Sequence, residues 1–91
     1  EEVIALKSFL NDIKKISNTH VKSKTKETIL ELEQANDLNS ITAIKKLEGF
    51  TTAYRYRIGD YRLGFYLHDN VIEIARCVKR NDIYKVFPRT E

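Results

Sequence analysis

Between Tyr54 and Leu67 the chain alternates so regularly that one kind of local structure fits it. Residues 51–58 read Thr-Thr-Ala-Tyr-Arg-Tyr-Arg-Ile, with Tyr54, Tyr56 and Ile58 interleaved with Arg55 and Arg57. That period of two puts apolar and charged side chains on opposite faces of a half-buried strand. Gly59-Asp60 follows as a two-residue turn, in which glycine supplies the positive φ of a tight hairpin. Residues 61–68 form the return strand, with Tyr61, Leu63, Phe65 and Leu67 on one face. The turn length sets the register: Ile58 opposite Tyr61, Arg57 opposite Arg62, Tyr56 opposite Leu63, and Arg55 opposite Gly64. Arg55, Arg57, Arg62, Gly64 and Tyr66 then share the face turned away from the core.

The rest of the chain supplies a cover for this hairpin. Residues 2–5 read as a short strand. Ser8 is the expected N-cap of a helix through about Ser17, with Phe9, Leu10, Ile13 and Ile16 at amphipathic spacing. Ser17 to His20 reads as a turn. A second helix over about 21–36 places Val21, Thr25, Thr28, Ile29, Leu32 and Ala35 on one side. Asn36 to Ser40 reads as a loop and 41–46 as a helical turn. Asp69-Asn70 is a second tight turn, leading to a third strand over 71–79 that is rich in Val and Ile. If that turn has two residues, Arg76 points to the core side and Cys77 to the arginine face; a longer turn reverses them. The expected fold is α+β, one domain over 1–91. An antiparallel helical hairpin packs on one face of a small, mainly antiparallel sheet of three to four strands, leaving the other face partly open.

Composition narrows the function. No apolar run reaches the roughly 20 residues of a membrane span, and no basic-then-apolar leader is recognisable. The lone Cys77, with only His20 and His68 beside it, excludes an intrachain disulfide framework and disfavours a zinc site. A reducing cytoplasm fits that usage. The net charge of +3 is unevenly spread. Residues 1–50 carry eight lysines against eight acidic residues, whereas 51–91 carry six arginines and two lysines against five. All five tyrosines also fall in the second stretch. Arginine mixed with tyrosine suggests a face for phosphate or RNA, because the planar guanidinium fork matches phosphate geometry. Arg57 opposite Arg62 strengthens that reading: like charges directly opposed are destabilising, and an anion between them relieves the conflict. Gly64 opposite Arg55 leaves room there for a ligand to approach the backbone. No Ser-His-Asp, Cys-His, paired-carboxylate or P-loop arrangement competes.

Four segments, Lys-Ser-Phe-Leu-Asn-Asp-Ile-Lys-Lys-Ile (7–16), Ile44 to Gly49, Tyr54 to Arg62, and Arg80-Asn81-Asp82-Ile83-Tyr84, together resemble the RelE/ParE superfamily of toxins from toxin–antitoxin pairs. The resemblance implies a short strand, a helical hairpin and three antiparallel strands. It also implies an endoribonuclease that cleaves messenger RNA in the ribosomal A site, inhibiting translation in the cytoplasm. On that pattern Arg55 and Arg57, with Lys79, bind RNA phosphate, and Arg62, Arg80 and Tyr84 are catalytic. Many members carry a histidine where this chain has Lys79. The implied partners are a cognate antitoxin, the ribosome and mRNA, with no membrane, small molecule, metal or organic cofactor. The alternatives are a non-enzymatic ParE-type poison of DNA gyrase, or an inactive relative that binds RNA or protein. The cluster of basic residues with a tyrosine favours the nuclease.

Overall fold

The computed structural model describes residues 2–89. The strand β1 (Glu2–Ala5) leads to helix α1 (Lys7–Lys15), helix α2 (Thr19–Gln34), a 3₁₀ turn (Leu38–Ser40) and strand β2 (Ile44–Lys46). Strands β3 (Ala53–Ile58), β4 (Tyr61–His68) and β5 (Val71–Lys79) follow, and helix α3 (Arg80–Val86) closes the chain. One five-stranded sheet has the order β1-β5-β4-β3-β2, antiparallel except for the parallel pairing of β1 with β5. The hairpin register is the expected one, from Ile58↔Tyr61 to Arg55↔Gly64. Gly59 has φ +56°, as the first position of a two-residue turn requires. Among the described residues no helix is long and apolar enough to cross a membrane.

The sheet is covered unequally. On one face, Ile58, Leu63, Phe65, Ile72, Ile74 and Cys77 pack with Phe9 and Ile16 of α1 and Val21 and Leu32 of α2. On the other, Ala53 and Ala75 meet only Ile83 and Phe87 from α3 and the residue after it, with partly buried neighbours such as Leu47, Tyr66 and Val78. That second core stops short of the β3–β4 turn, so the sheet surface beyond it stays open.

Three local expectations are corrected. First, Ser8 is not a cap. Leu6 occupies that position without a side-chain cap, and the Ser8 hydroxyl donates to the Ala75 carbonyl at 2.6 Å. Second, 41–46 is not a helical turn. Ile44–Lys46 pairs with Tyr54–Tyr56, making the sheet five-stranded. Third, Asp69 and Asn70 do form a two-residue turn, both with positive φ (53° and 64°), yet Cys77 faces the core opposite Leu63. A bulge between Gly64 and Phe65, where Phe65 pairs with Ile74 but Gly64 with Arg76, inserts one extra residue and flips the remainder of β5. Residues 80–86, for which the residue pattern indicates no element, form α3.

Beyond β1 the exposed edge of β5 is satisfied by α1. Leu6 N–H donates to Ile74, Ser8 to Ala75, and the buried carboxylate of Asp12 accepts from Cys77 N–H at 2.9 Å. Asp12 also accepts from Arg76 through Nε at 2.7 Å and Nη2 at 3.0 Å. One carboxylate thus pins the bulged strand to the helix. Burial pushes the Cys77 thiol up to about 11, so it is a packing residue rather than a nucleophile.

Candidate nucleic-acid interface

Cross-strand partners share a face, so the pairs Lys45↔Arg55 and Arg57↔Arg62 place four cations on the open side of the sheet. Together with Tyr84 of α3 they line a groove of about 240 Å³, bounded also by Thr42 and Ala43. No acidic side chain lines it. Four positive charges in a shared concavity raise the local concentration of anions and steer them inward.

Each side chain is held differently. Arg62 is braced over the hairpin turn, its Nη1 donating to the Gly59 carbonyl at 2.8 Å and the Tyr61 carbonyl at 2.9 Å. That leaves Nε and Nη2 for a ligand. Partial burial lowers the Arg62 pKa, and the charges of Arg80, Arg55 and Arg57 lower it further against the opposing effect of Tyr84. It remains a cation, since guanidinium does not lose its proton in proteins. Arg55 lies over the Tyr84 ring with its guanidinium carbon 4.8 Å from the centroid, a cation–π contact that fixes both groups. Tyr84 is itself 64% exposed, with its face available for stacking. Hydrogen bonding to Arg55 and the charge of Arg55 lower its phenol pKa, aided by Arg80 and Arg62.

The six residues picked out by sequence separate into three groups. Arg55, Arg57, Arg62 and Tyr84 meet in the groove. Arg80 does not line it; its backbone N–H anchors α3 to the Asp60 carbonyl at 2.7 Å, and its side chain lines a neighbouring concavity with Asn18, Asp60 and Asn81. Its charge still reaches Arg62 and Tyr84. Lys79 pairs with Tyr61, whose ring packs against the helix-side core, so the structure does not bring Lys79 to the arginine groove. The residue that the sequence reading missed is Lys45. Its signal was only three residues of strand, and it becomes visible once β2 pairs with β3.

Gly64 is also reassigned. The space beside it is not open to a ligand, because a Cβ there lies 2.7 Å from the ring of Phe87. Phe87 packs into the gap and tilts against Tyr66 at 5.0 Å. Gly64→Ala is expected to push this ring away and to destabilise the protein by about 1–3 kcal/mol, through overpacking. Thermal unfolding checks this; a melting temperature equal to the parent's contradicts it.

His68 hydrogen-bonds Glu73 at 2.9 Å on the surface, far from these groups in the sheet. Among the described residues, no three His, Cys, Asp or Glu side chains gather as metal ligands would.

No family model matches the chain. It is 34% identical over 88 residues to Toxin RelE3 of Methanocaldococcus jannaschii, covering 96% of this chain and 99% of that protein. Among solved structures, the RelB–RelE antitoxin–toxin complex from Methanococcus jannaschii contains a chain that superposes with a TM-score of 0.78 at 33% identity, covering 93% and 99% of the two chains. The archaeal RelE–RelB complex from Pyrococcus horikoshii OT3 gives a TM-score of 0.65 at 25% identity, covering 87% and 93%.

Proposed function

The chain belongs to the RelE family of toxins, and from that premise we propose that it is a metal-independent endoribonuclease that cuts ribosome-bound mRNA at the A site. The observation that carries the reading is the placement of Arg57 and Arg62 as direct cross-strand partners on an uncovered sheet face, inside one groove with Arg55, Lys45 and Tyr84.

RNA brings its own nucleophile. The ribose 2′-OH attacks the adjacent phosphorus; the new P–O2′ bond forms as the P–O5′ bond breaks, leaving a 2′,3′-cyclic phosphate and a 5′-hydroxyl. The enzyme has to align the strand, neutralise the extra charge on the phosphoryl oxygens, and move one proton from O2′ and one to O5′. In this reading Arg57 and Arg62 clamp the non-bridging oxygens, with Arg55 and Lys45 holding flanking phosphate. Arg80, outside the groove, adds long-range positive potential at Arg62 and Tyr84. Arginine is a poor base, so the proton from O2′ goes to Tyr84 as phenolate, and solvent water protonates O5′ as it leaves.

That role has a pH signature. A base works when deprotonated, and the arginines lower the Tyr84 pKa from 10.0. Cleavage is therefore expected to rise with pH, with its midpoint below that of an unperturbed tyrosine. Tyr84→Phe is expected to remove that inflection and to slow cleavage about 10²–10⁴-fold, the usual contribution of a general base. An unchanged pH profile in the variant contradicts the assignment.

The relatives' crystal structures pair RelE with RelB, and on that basis a cognate antitoxin is the proposed protein partner here. Transient expression followed by mapping of mRNA 5′ ends tests the activity. Cuts confined to translated reading frames are expected. Intact mRNA together with inhibited DNA supercoiling overturns the nuclease reading in favour of a gyrase poison.

A further inference from the structure

The turn between β3 and β4 does more than reverse the chain. Strand pairing ends at Ile58↔Tyr61, so the carbonyls of Gly59 and Asp60 lie outside the ladder. Each accepts from a different part of the candidate site. Arg62 Nη1 donates to Gly59 at 2.8 Å and to Tyr61 at 2.9 Å. The backbone N–H of Arg80 donates to Asp60 at 2.7 Å. Three successive carbonyls therefore hold two pieces, the Arg62 guanidinium and the first residue of α3.

The second hold matters because α3 has no side-chain cap. Lys79 stands at the N-cap position without such a bond, and the first N–H groups of a helix have no partner within it. The turn carbonyl takes the place of a cap. Tyr84, four residues on, lies on the same side of α3 as Arg80. At the other end Phe87 seats against Gly64. Tyr84 thus rides on a short helix pinned at two points, one of which is the turn that braces Arg62. The arrangement also gathers like charge, since Arg80 acts against the charge of Arg62. Such a conflict is of the kind that marks functional positions.

Gly59 sets the geometry of this turn. Its φ is +56°, and a Cβ there meets nothing within 4 Å. Room for a side chain is present, so the backbone angle alone calls for glycine. A β-branched L-residue does not adopt that angle without strain.

We propose that the turn carbonyls of Gly59 to Tyr61 are the positioning element of the site, fixing Arg62 and Tyr84 relative to each other, with Gly59 as the positioning residue. The proposal rests on the nuclease reading and deepens it. A phosphoryl clamp and a base serve one phosphate only when both reach it together. Arg62 and Tyr84 stand on different elements, with the whole of β5 between them in the chain. Adjacent carbonyls of one turn replace that long path with a short one. A different turn geometry re-aims those carbonyls, and a displacement of about 1 Å costs on the order of 10²-fold in rate. Grip on the strand changes little, because Lys45, Arg55 and Arg57 keep their places on β2 and β3.

The test compares the parent, Gly59→Val, a synthetic chain with D-valine at position 59, and Gly49→Val. The two valine enantiomers give one composition, and only the D form favours positive φ. Gly49 also has positive φ, +81°, with nothing near its Cβ, but lies outside this turn. It reports backbone strain by itself. Single-turnover cleavage is expected to fall about 100-fold for Gly59→Val. Its affinity for an uncleavable 2′-O-methylated RNA is expected to stay within about twofold of the parent's. The D-valine chain and Gly49→Val are expected to cleave at the parental rate. Gly59→Ala, which strains the same angle less, is expected to fall between parent and Gly59→Val. In the free chain, amide hydrogen exchange at Arg80 is expected to quicken for Gly59→Val and not for D-valine. Parental cleavage by Gly59→Val overturns the proposal. So does equal loss of rate with both enantiomers or with Gly49→Val, which assigns the effect to bulk or to general strain. A fall in RNA affinity as large as the fall in rate also overturns it. A parent chain that does not cleave overturns the nuclease reading, and exchange at Arg80 then still decides whether the turn holds α3.

Discussion

An Arg62→Ala variant is expected to keep the parental fold and to cleave translated mRNA about 100–1,000-fold more slowly, the cost of removing one fixed donor from a charge-stabilising site. Arg62 is the guanidinium that the backbone itself positions, through the carbonyls of Gly59 and Tyr61. A donor that is already oriented needs no reorganisation when charge builds on the phosphoryl oxygens. Arg57, directly opposite, is exposed on the neighbouring strand, and in the proposed mechanism it closes the clamp. Folding is expected to survive because the substitution removes a like-charge pair along with two partly exposed hydrogen bonds, and these changes oppose each other. Arg62→Lys is expected to recover only part of the rate, since an ammonium keeps the charge but loses the fork. Single-turnover cleavage on programmed ribosomes, with circular dichroism as the fold control, measures both. Parental cleavage by Arg62→Ala removes this residue from the mechanism.

The second large effect concerns stability. Asp12→Ala is expected to destabilise the protein by about 3 kcal/mol, the lower end for breaking a buried ion pair because Arg76 keeps some solvent contact. The carboxylate is 5% exposed and receives three hydrogen bonds, two from Arg76 and one from Cys77 N–H. Its loss strands a backbone donor at the bulged edge of β5 and a guanidinium beside it. For a chain of this size the melting temperature should fall by roughly 12–24 °C. Double replacement of Asp12 and Arg76 by apolar residues is expected to cost less than Asp12→Ala alone, because no charge is then left unpaired. Equal melting temperatures for parent and Asp12→Ala contradict the pinning role.

What could be read from sequence follows from the range of the forces involved. The arginine hairpin was legible because a two-residue turn and a period-two pattern determine register locally, so Arg57 opposite Arg62 needed nothing from elsewhere in the chain. The helix faces were legible for the same reason: Phe9, Ile16, Val21, Thr25, Thr28 and Leu32 are buried as their spacing indicates, although Leu10, read on the same face as Phe9, is 47% exposed. The failures are non-local. The bulge that flips Cys77 inward depends on how β5 meets Gly64, and on Asp12, 65 residues away, accepting the Cys77 N–H. Ser8 resembles a helix cap, but its hydroxyl serves a strand edge 67 residues away. Lys45 lay hidden because three residues cannot show a strand period, so β2 exists only by pairing with β3. Gly64 looked like an opening until α3 supplied Phe87 to fill it. Within the site, the expected side chains on the paired strands meet in one groove, whereas Lys79, taken from the family resemblance rather than from a strand pattern, lies outside it.

A titration of the protein with a 2′-O-methylated RNA, which cannot be cleaved, would separate gripping the backbone from every later step. Arginine Nε–H resonances report each guanidinium individually. Those of Arg55, Arg57 and Arg62 should shift together and saturate together, and the shifts should weaken steeply as salt rises. The Nε–H of Arg76, held by Asp12, should stay in place. Saturable RNA binding that leaves the Arg57 and Arg62 resonances unmoved would show that the strand is held elsewhere and that this groove is not the site.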